Sequence, residues 1–105
     1  PKPTQGTASW YESGSVTSSG EPFDPQGPTC ASWHYSFGTR LKVTNMSNGR
    51  SVIVRVNDRG PNKRLGRIID LSRKSFRQIA ELDTGLIPVS VFVLEGGLSL
   101  EKGGN

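Results

Sequence analysis

"RLKVTNMSNGRSVIVRVNDRGP", residues 40–61, is the stretch whose reading decides the fold. Leu41 and Val43 alternate with charged or polar neighbours, and Val52, Val54 and Val56 do the same after them. A period of two is the mark of a strand with one buried face. Between the two runs lies Asn48-Gly49, a dipeptide suited to a tight turn. The whole reads as a hairpin of strands 40–45 and 51–57. Its exit raises a problem. Continued alternation would turn Asp58 inward beside Val56, burying a charge without a partner. The strand must therefore end or twist there, and Gly60-Pro61 supplies the means.

Working outward, residues 7–11 ("TASWY") form a short strand candidate. Residues 12–28 are rich in Gly, Ser and Pro and read as a long irregular segment, a feature usually either disordered or functional. Residues 62–66 form a basic loop, 67–70 a short apolar strand, and 87–94 a final strand with Val89, Val91 and Val93 on one face. Between the last two the period changes. Phe76, Ile79 and Ala80 recur at helical spacing, Ser72 can cap, and Gly85 can stop the run, which predicts one short helix within 71–82. One helix among five or six short strands, with no βαβ rhythm, points to a mainly β fold, a small β-barrel. A single domain is expected over 1–105, with its core at about 6–94 and flexible ends.

The 105 residues include 13 Gly and 7 Pro with 32% apolar content, a balance suited to a turn-rich barrel rather than a bundle. The net charge of +4 favours anionic partners without choosing among them. Cys30 is the only cysteine and His34 the only histidine, so neither a disulfide framework nor the usual metal clusters are expected. No run approaches the roughly 18 apolar residues of a transmembrane helix. The start at Pro1, without Met or a signal-like run, suggests a processed or excised chain, with a lipid anchor upstream compatible with it.

Two function classes drop out early. "LDTG" (82–85) resembles an aspartic-protease motif, but residues 86–105 are too few to complete such a fold, and the motif follows a helix instead of ending a strand. Scattered Arg and Lys with Trp10, Tyr11, Trp33 and Tyr35 could serve nucleic acid, yet no known binding motif joins them, and no nucleic-acid partner is expected. The acids are more informative. Glu21 lies in the long loop, while Asp58 and Asp70 each end a strand. Cleavage of a glycosidic bond needs one carboxyl kept protonated and a second group to stabilise the positive charge developing at the sugar carbon. Trp10 and Tyr11 would suit the flat faces of sugars.

"GTASWY" (6–11), "TSSGEPF" (17–23), "FGTRLKVTNMSNGRSVIVRVNDRGP" (37–61) and "GRIIDLS" (66–72) closely resemble the RlpA-like (rare lipoprotein A) family, and the likeness runs over roughly residues 6–94. It implies a six-stranded double-psi β-barrel with one short helix. It also implies a lytic transglycosylase acting on peptidoglycan glycan strands that lack stem peptides, leaving 1,6-anhydro ends. Glu21 then matches the family's acid/base, Asp58 its charge stabiliser or second carboxylate, and Asp70 a further acid near the groove. Trp10, Tyr11, Ser32, His34 and Arg59 would be the substrate contacts. No metal and no organic cofactor are implied. The expected setting is the bacterial cell envelope, as a periplasmic protein, an outer-membrane lipoprotein or a secreted monomer.

Three departures from the family pattern stand out. The position that usually carries His is Ser32; His34 lies two places on, displaced by about 6–7 Å along a strand. Glu12 replaces the Gly after "SWY", and an insertion ahead of residue 17 is missing. The reading favours an enzyme, an endolytic peptidoglycan lyase. The alternative is a non-catalytic wall-binding barrel like the expansins, which share the architecture.

Overall fold

The structure, a computed structural model, describes residues 3–62 and 66–95. The expected basic loop 62–66 falls partly, and the frayed tail almost wholly, outside these residues. Six strands are present: β1 (Thr4–Tyr11), β2 (Thr29–Ala31), β3 (Arg40–Asn45), β4 (Ser51–Asp58), β5 (Ile69–Ser72) and β6 (Ile87–Glu95). They close into a barrel in the order β1-β5-β2-β4-β3-β6. The β1/β5 and β2/β4 pairs are parallel, and the other four are antiparallel. This is the six-stranded double-psi barrel with one short helix that the sequence implies. Closure leaves no strand edge unpaired.

The hairpin forms as its alternation requires. Leu41, Val43, Val52, Val54 and Val56 are buried, while Lys42, Ile53 and Arg55 face out. Its turn is held by Asn45, whose carbonyl accepts the Gly49 N–H at 2.8 Å and whose side chain accepts the Ser47 N–H at 2.9 Å. Gly49 has φ of 78°, a conformation that glycine tolerates best. Val89 and Val91 of β6 join the core; Val93, opposite Leu41, reaches the barrel's end and is 36% exposed.

β2 was not foreseen. Its three residues are too few to show periodicity, and all three are buried, so no polar face marks them. The helix is shorter than expected, because α1 covers only Arg73–Arg77. Leu71 and Ser72 are drawn into β5 by pairing with Trp10 and Tyr11 of β1. Ser72 also caps α1 as expected, its Oγ accepting the Ser75 N–H. Beyond the helix, the Ile79 carbonyl accepts from the Asn45 and Asn48 side chains at 2.8 and 3.0 Å, so it is not available to extend the helix. A 3-10 turn at Leu82–Thr84 then leads to β6, with Gly85 after it. Phe76 and Ile79 are fully buried in the same apolar cluster as the strand valines. Phe76→Ala should lower unfolding free energy by about 3–5 kcal/mol in urea titration, because the ring has no route to solvent and the cavity cannot fully collapse.

Candidate functional site

The site is organised by an irregularity where β4 passes β2. Cys30 lies opposite Val56, but the next residue, Ala31, lies opposite Asp58. Asn57 is therefore the extra residue of a β-bulge. Val56 and Asn57 are both buried, and the alternation resumes one place late, leaving Asp58 only partly buried. The bulge supplies the twist that the unpaired charge demanded. Gly60 follows with φ of 149°, and a Cβ there would stand 3.4 Å from the Ala31 Cβ.

Asp58 gathers donors from three segments. Its Oδ1 accepts the Ser18 N–H (2.9 Å), the Ser18 hydroxyl (2.8 Å) and the Arg59 N–H (2.9 Å). Its Oδ2 accepts the Tyr11 hydroxyl at 3.1 Å. The irregular segment 12–28 is thereby tied down. The Ser19 N–H also donates to the Asn57 carbonyl (3.2 Å), and Thr17 N–H to the Glu21 carbonyl (2.9 Å). Burial, and secondarily the nearby Asp58 carboxylate, push the Tyr11 phenol well above its ordinary range; Asp70 acts in the same sense. The Tyr11 ring stacks on Phe23 with centroids 4.5 Å apart.

Glu21 is on the same loop but engaged elsewhere. Arg55 of β4 holds it with two contacts, Nη1–Oε1 at 2.7 Å and Nη2–Oε2 at 3.2 Å. That pairing lowers its carboxyl below the usual glutamate range, with Asn57 and Ser19 adding to the effect. Asp70, on β5, accepts the Ser9 hydroxyl and lies 3.4 Å from the Arg67 Nε. Ala31 pairs with Asp58 on one side and Asp70 on the other, so the two acids sit two strand spacings apart, about 10 Å.

Arg59 serves as a brace. Its Nη1 donates to the carbonyls of Ser32 (2.7 Å) and Tyr35 (2.6 Å), and its guanidinium lies 4.0 Å from the Phe37 ring centroid. Trp33 donates its Nε1–H to the Pro61 carbonyl at 2.6 Å. The two rings are each 41% exposed, held in place at one edge and open at the other. Phe23, Trp33 and Phe37 were not singled out as sugar contacts, although aromatic residues among turn-forming neighbours were the available signal.

Three expected substrate contacts lie elsewhere or do other work. Trp10 points to the opposite side of β1 from Tyr11; it packs 6.5 Å from Phe76 and donates to the Leu82 carbonyl at 2.9 Å. Its ring completes the helix contact instead of flanking a groove. Ser32 is 0% exposed, so it presents no surface to a polymer. Its hydroxyl accepts the His34 N–H at 3.1 Å and shapes the turn. His34 is half-buried, with its ring edge toward Tyr35.

Comparison with known proteins follows this geometry closely. The family model described as "Lytic transglycolase" matches residues 3–91. A probable endolytic peptidoglycan transglycosylase RlpA of Nostoc sp. is 47% identical over 95 residues, 86% of this chain and 25% of that protein. The RlpA of Pseudomonas aeruginosa is 44% identical over 89 residues, 82% of this chain and 26% of its own length. The chain belongs to the RlpA family. Membership accords with a bacterial cell-envelope protein related to peptidoglycan metabolism. The RlpA-family chain spans about a quarter of the length of these two relatives.

Solved structures with the same barrel include the Streptomyces papain inhibitor (TM-score 0.74, 23% identity, covering 90% of this chain and 96% of that one). The Clavibacter michiganensis expansin matches with TM-score 0.69 at 26% identity, over 89% of this chain and 50% of its own. Neither neighbour is named for bond cleavage, one being a papain inhibitor and the other an expansin, and this corrects the expectation of a lyase. The chemistry agrees. A general acid needs a raised carboxyl pKa, whereas Arg55 drives Glu21 the other way. Among the described residues, no three of His, Cys, Asp and Glu cluster closely enough to hold a metal. No helix there is long and apolar enough to cross a membrane.

The Asp58–Tyr11 bond can be tested by titration. Native Tyr11 should resist ionisation until well above the ordinary tyrosine range, as read by phenolate absorbance. Asp58→Asn should lower its pKa only part of the way, since burial is the larger cause. Because Tyr11 is raised in the folded state, stability should be flat below the unfolded tyrosine pKa of about 10 and fall above it. Glu21 has the opposite sign. Its lowered pKa contributes stability above the unfolded value of about 4.3 that is lost as pH falls through the folded pKa. Glu21→Gln should cost no more than about 1 kcal/mol, because the pair is exposed to solvent.

Proposed function

We propose that this RlpA-family barrel is a single, monomeric, non-catalytic polysaccharide-binding domain of 1–105 that holds peptidoglycan glycan strands lacking stem peptides. The observation that carries the reading is the line of aromatic rings along the Asp58 bulge. Phe37 rests on Arg59, Arg59 follows Asp58, Asp58 holds Tyr11, and Tyr11 stacks on Phe23, with Trp33 fixed beside Pro61. Sugar rings have one apolar face, and rigid, partly exposed aromatics bind such faces with little loss of side-chain entropy. The exposed Glu21–Arg55 pair and the loop hydroxyls offer hydrogen bonds at the margin.

The comparisons favour the same direction. A mutant of the Clavibacter michiganensis expansin was solved in complex with cellohexaose, at TM-score 0.70 and 24% identity. The relatives of this chain named RlpA suggest that the glycan here is peptidoglycan and that the setting is the envelope: periplasmic, outer-membrane-anchored or secreted. Nucleic acid is disfavoured because Arg55, Arg59 and Arg67 all have internal partners. The closed barrel offers no strand edge for self-association, in keeping with a monomer.

Purified protein should co-sediment with denuded glycan strands and release no 1,6-anhydro products. Trp33→Ala and Phe37→Ala should each weaken binding by about tenfold, equivalent to about 1.4 kcal/mol, with the barrel's thermal unfolding little changed. Catalytic release of anhydro ends, or unchanged binding in both variants, would refute this reading.

A further inference from the structure

A concavity lies between α1 and the loop that leads into β2, lined by none of the aromatic rings named above. It has a volume of about 340 Å³ and is lined by Gln26, Arg73, Lys74, Arg77 and Gln78. Its wall is fixed from both sides. The Lys74 N–H donates to the Pro25 carbonyl (3.0 Å), and the Ser72 hydroxyl to the Gly27 carbonyl (2.6 Å). The loop itself is closed by Asp24, whose carboxylate accepts the Gln26 N–H at 2.9 Å.

Three cations around one cleft require an explanation. Arg73 and Arg77 are separated by four places on α1, Lys74 and Arg77 by three, and like charges at these spacings destabilise a helix. No acid occupies the helix's first turn. Arg73 has Glu12 at 3.6 Å, but neither Lys74 nor Arg77 has a carboxylate partner among the described residues. A position in the last turn favours Lys74 and Arg77 individually. It does not account for Arg73 beside them, or for the convergence of all three with two side-chain amides around a cleft large enough for a small ligand.

We propose that this cleft is a binding site for a phosphate group. Two guanidinium forks and an ammonium suit a multiply charged, multi-oxygen anion, because each fork can donate to two phosphate oxygens. A singly charged carboxylate would leave most of these donors unused. Gln26 and Gln78 supply neutral donors at the sides, and Glu12, by pairing with Arg73, moderates the positive field. The site is distinct from the aromatic line but not remote from it. Phe23 and Gln26 are three residues apart, so their Cα atoms are at most about 11 Å from each other. A phosphate carried on, or attached to, a wall polymer could therefore engage the cleft while sugars occupy the rings.

The test is an amide-resolved NMR titration of the intact chain with inorganic pyrophosphate at constant ionic strength, with citrate as the carboxylate control. Saturable shifts should centre on Gln26, Arg73, Lys74, Arg77 and Gln78. The double variant K74Q/R77Q, in which both side chains are exposed, should weaken binding by at least about tenfold without changing thermal unfolding. Glu12→Gln should strengthen it. Poly(glycerol phosphate) binding more tightly per phosphate than pyrophosphate identifies a polymer phosphodiester as the source; the reverse identifies a free phosphate ester. Equal affinity for citrate, shifts spread over all surface cations, or binding unchanged in K74Q/R77Q would overturn the proposal. Trp33→Ala should retain pyrophosphate binding, and K74Q/R77Q should retain denuded glycan, so failure at either site is read separately.

Discussion

Asn57 has no residue of its own opposite it on β2, and the direction of everything after it on β4 follows from that. Without the extra residue, Asp58 would enter a core of valines, where an unpaired carboxylate is strongly disfavoured. With it, Asp58 emerges beside the loop and accepts bonds from Ser18, Arg59 and Tyr11. A charged acceptor with several donors is among the stronger polar tethers available to a small protein. The long segment between β1 and β2 owes its order to this contact, and the placement of Tyr11 and Phe23 follows.

The same economy of groups gives each of the three acids a partner within the fold. Glu21 is neutralised by Arg55, Asp70 is bonded to Ser9 with Arg67 close by, and Asp58 is the hub of the tether. Each carboxylate has a structural partner, and Arg55 lowers the Glu21 carboxyl further. Arg59 shows the same pattern. A cation that reads in sequence as a groove contact is used to brace two carbonyls and support Phe37. The Trp33 and Phe37 rings, held at one edge by Pro61 and Arg59, stay partly open to solvent.

Much of the barrel was legible because its signals are local. The hairpin 40–58 and the strand at 87 alternate cleanly, and Asn48-Gly49 marks the turn between β3 and β4. β2 was hidden because a fully buried three-residue strand has no alternation to read. The helix was overestimated because helical spacing at Phe76, Ile79 and Ala80 says nothing of the Asn45 and Asn48 amides, which come from another hairpin to end it. Motif identity carried the family, and it drew attention to Glu21, Asp58 and Asp70. It could not distinguish their partners.

The sequence by itself determined a closed barrel of short strands, its family, and the need for a break at Asp58, because these rest on alternation, turn chemistry and the cost of burying a charge. Only the tertiary structure decided that Glu21 meets Arg55, that Trp10 faces Phe76 while Tyr11 faces Asp58, and that Ser32 is sealed inside. These pairings join segments as far apart as 66 residues in the case of Trp10 and Phe76 by number, and no local pattern encodes which side chains meet across a barrel once a bulge has shifted its register.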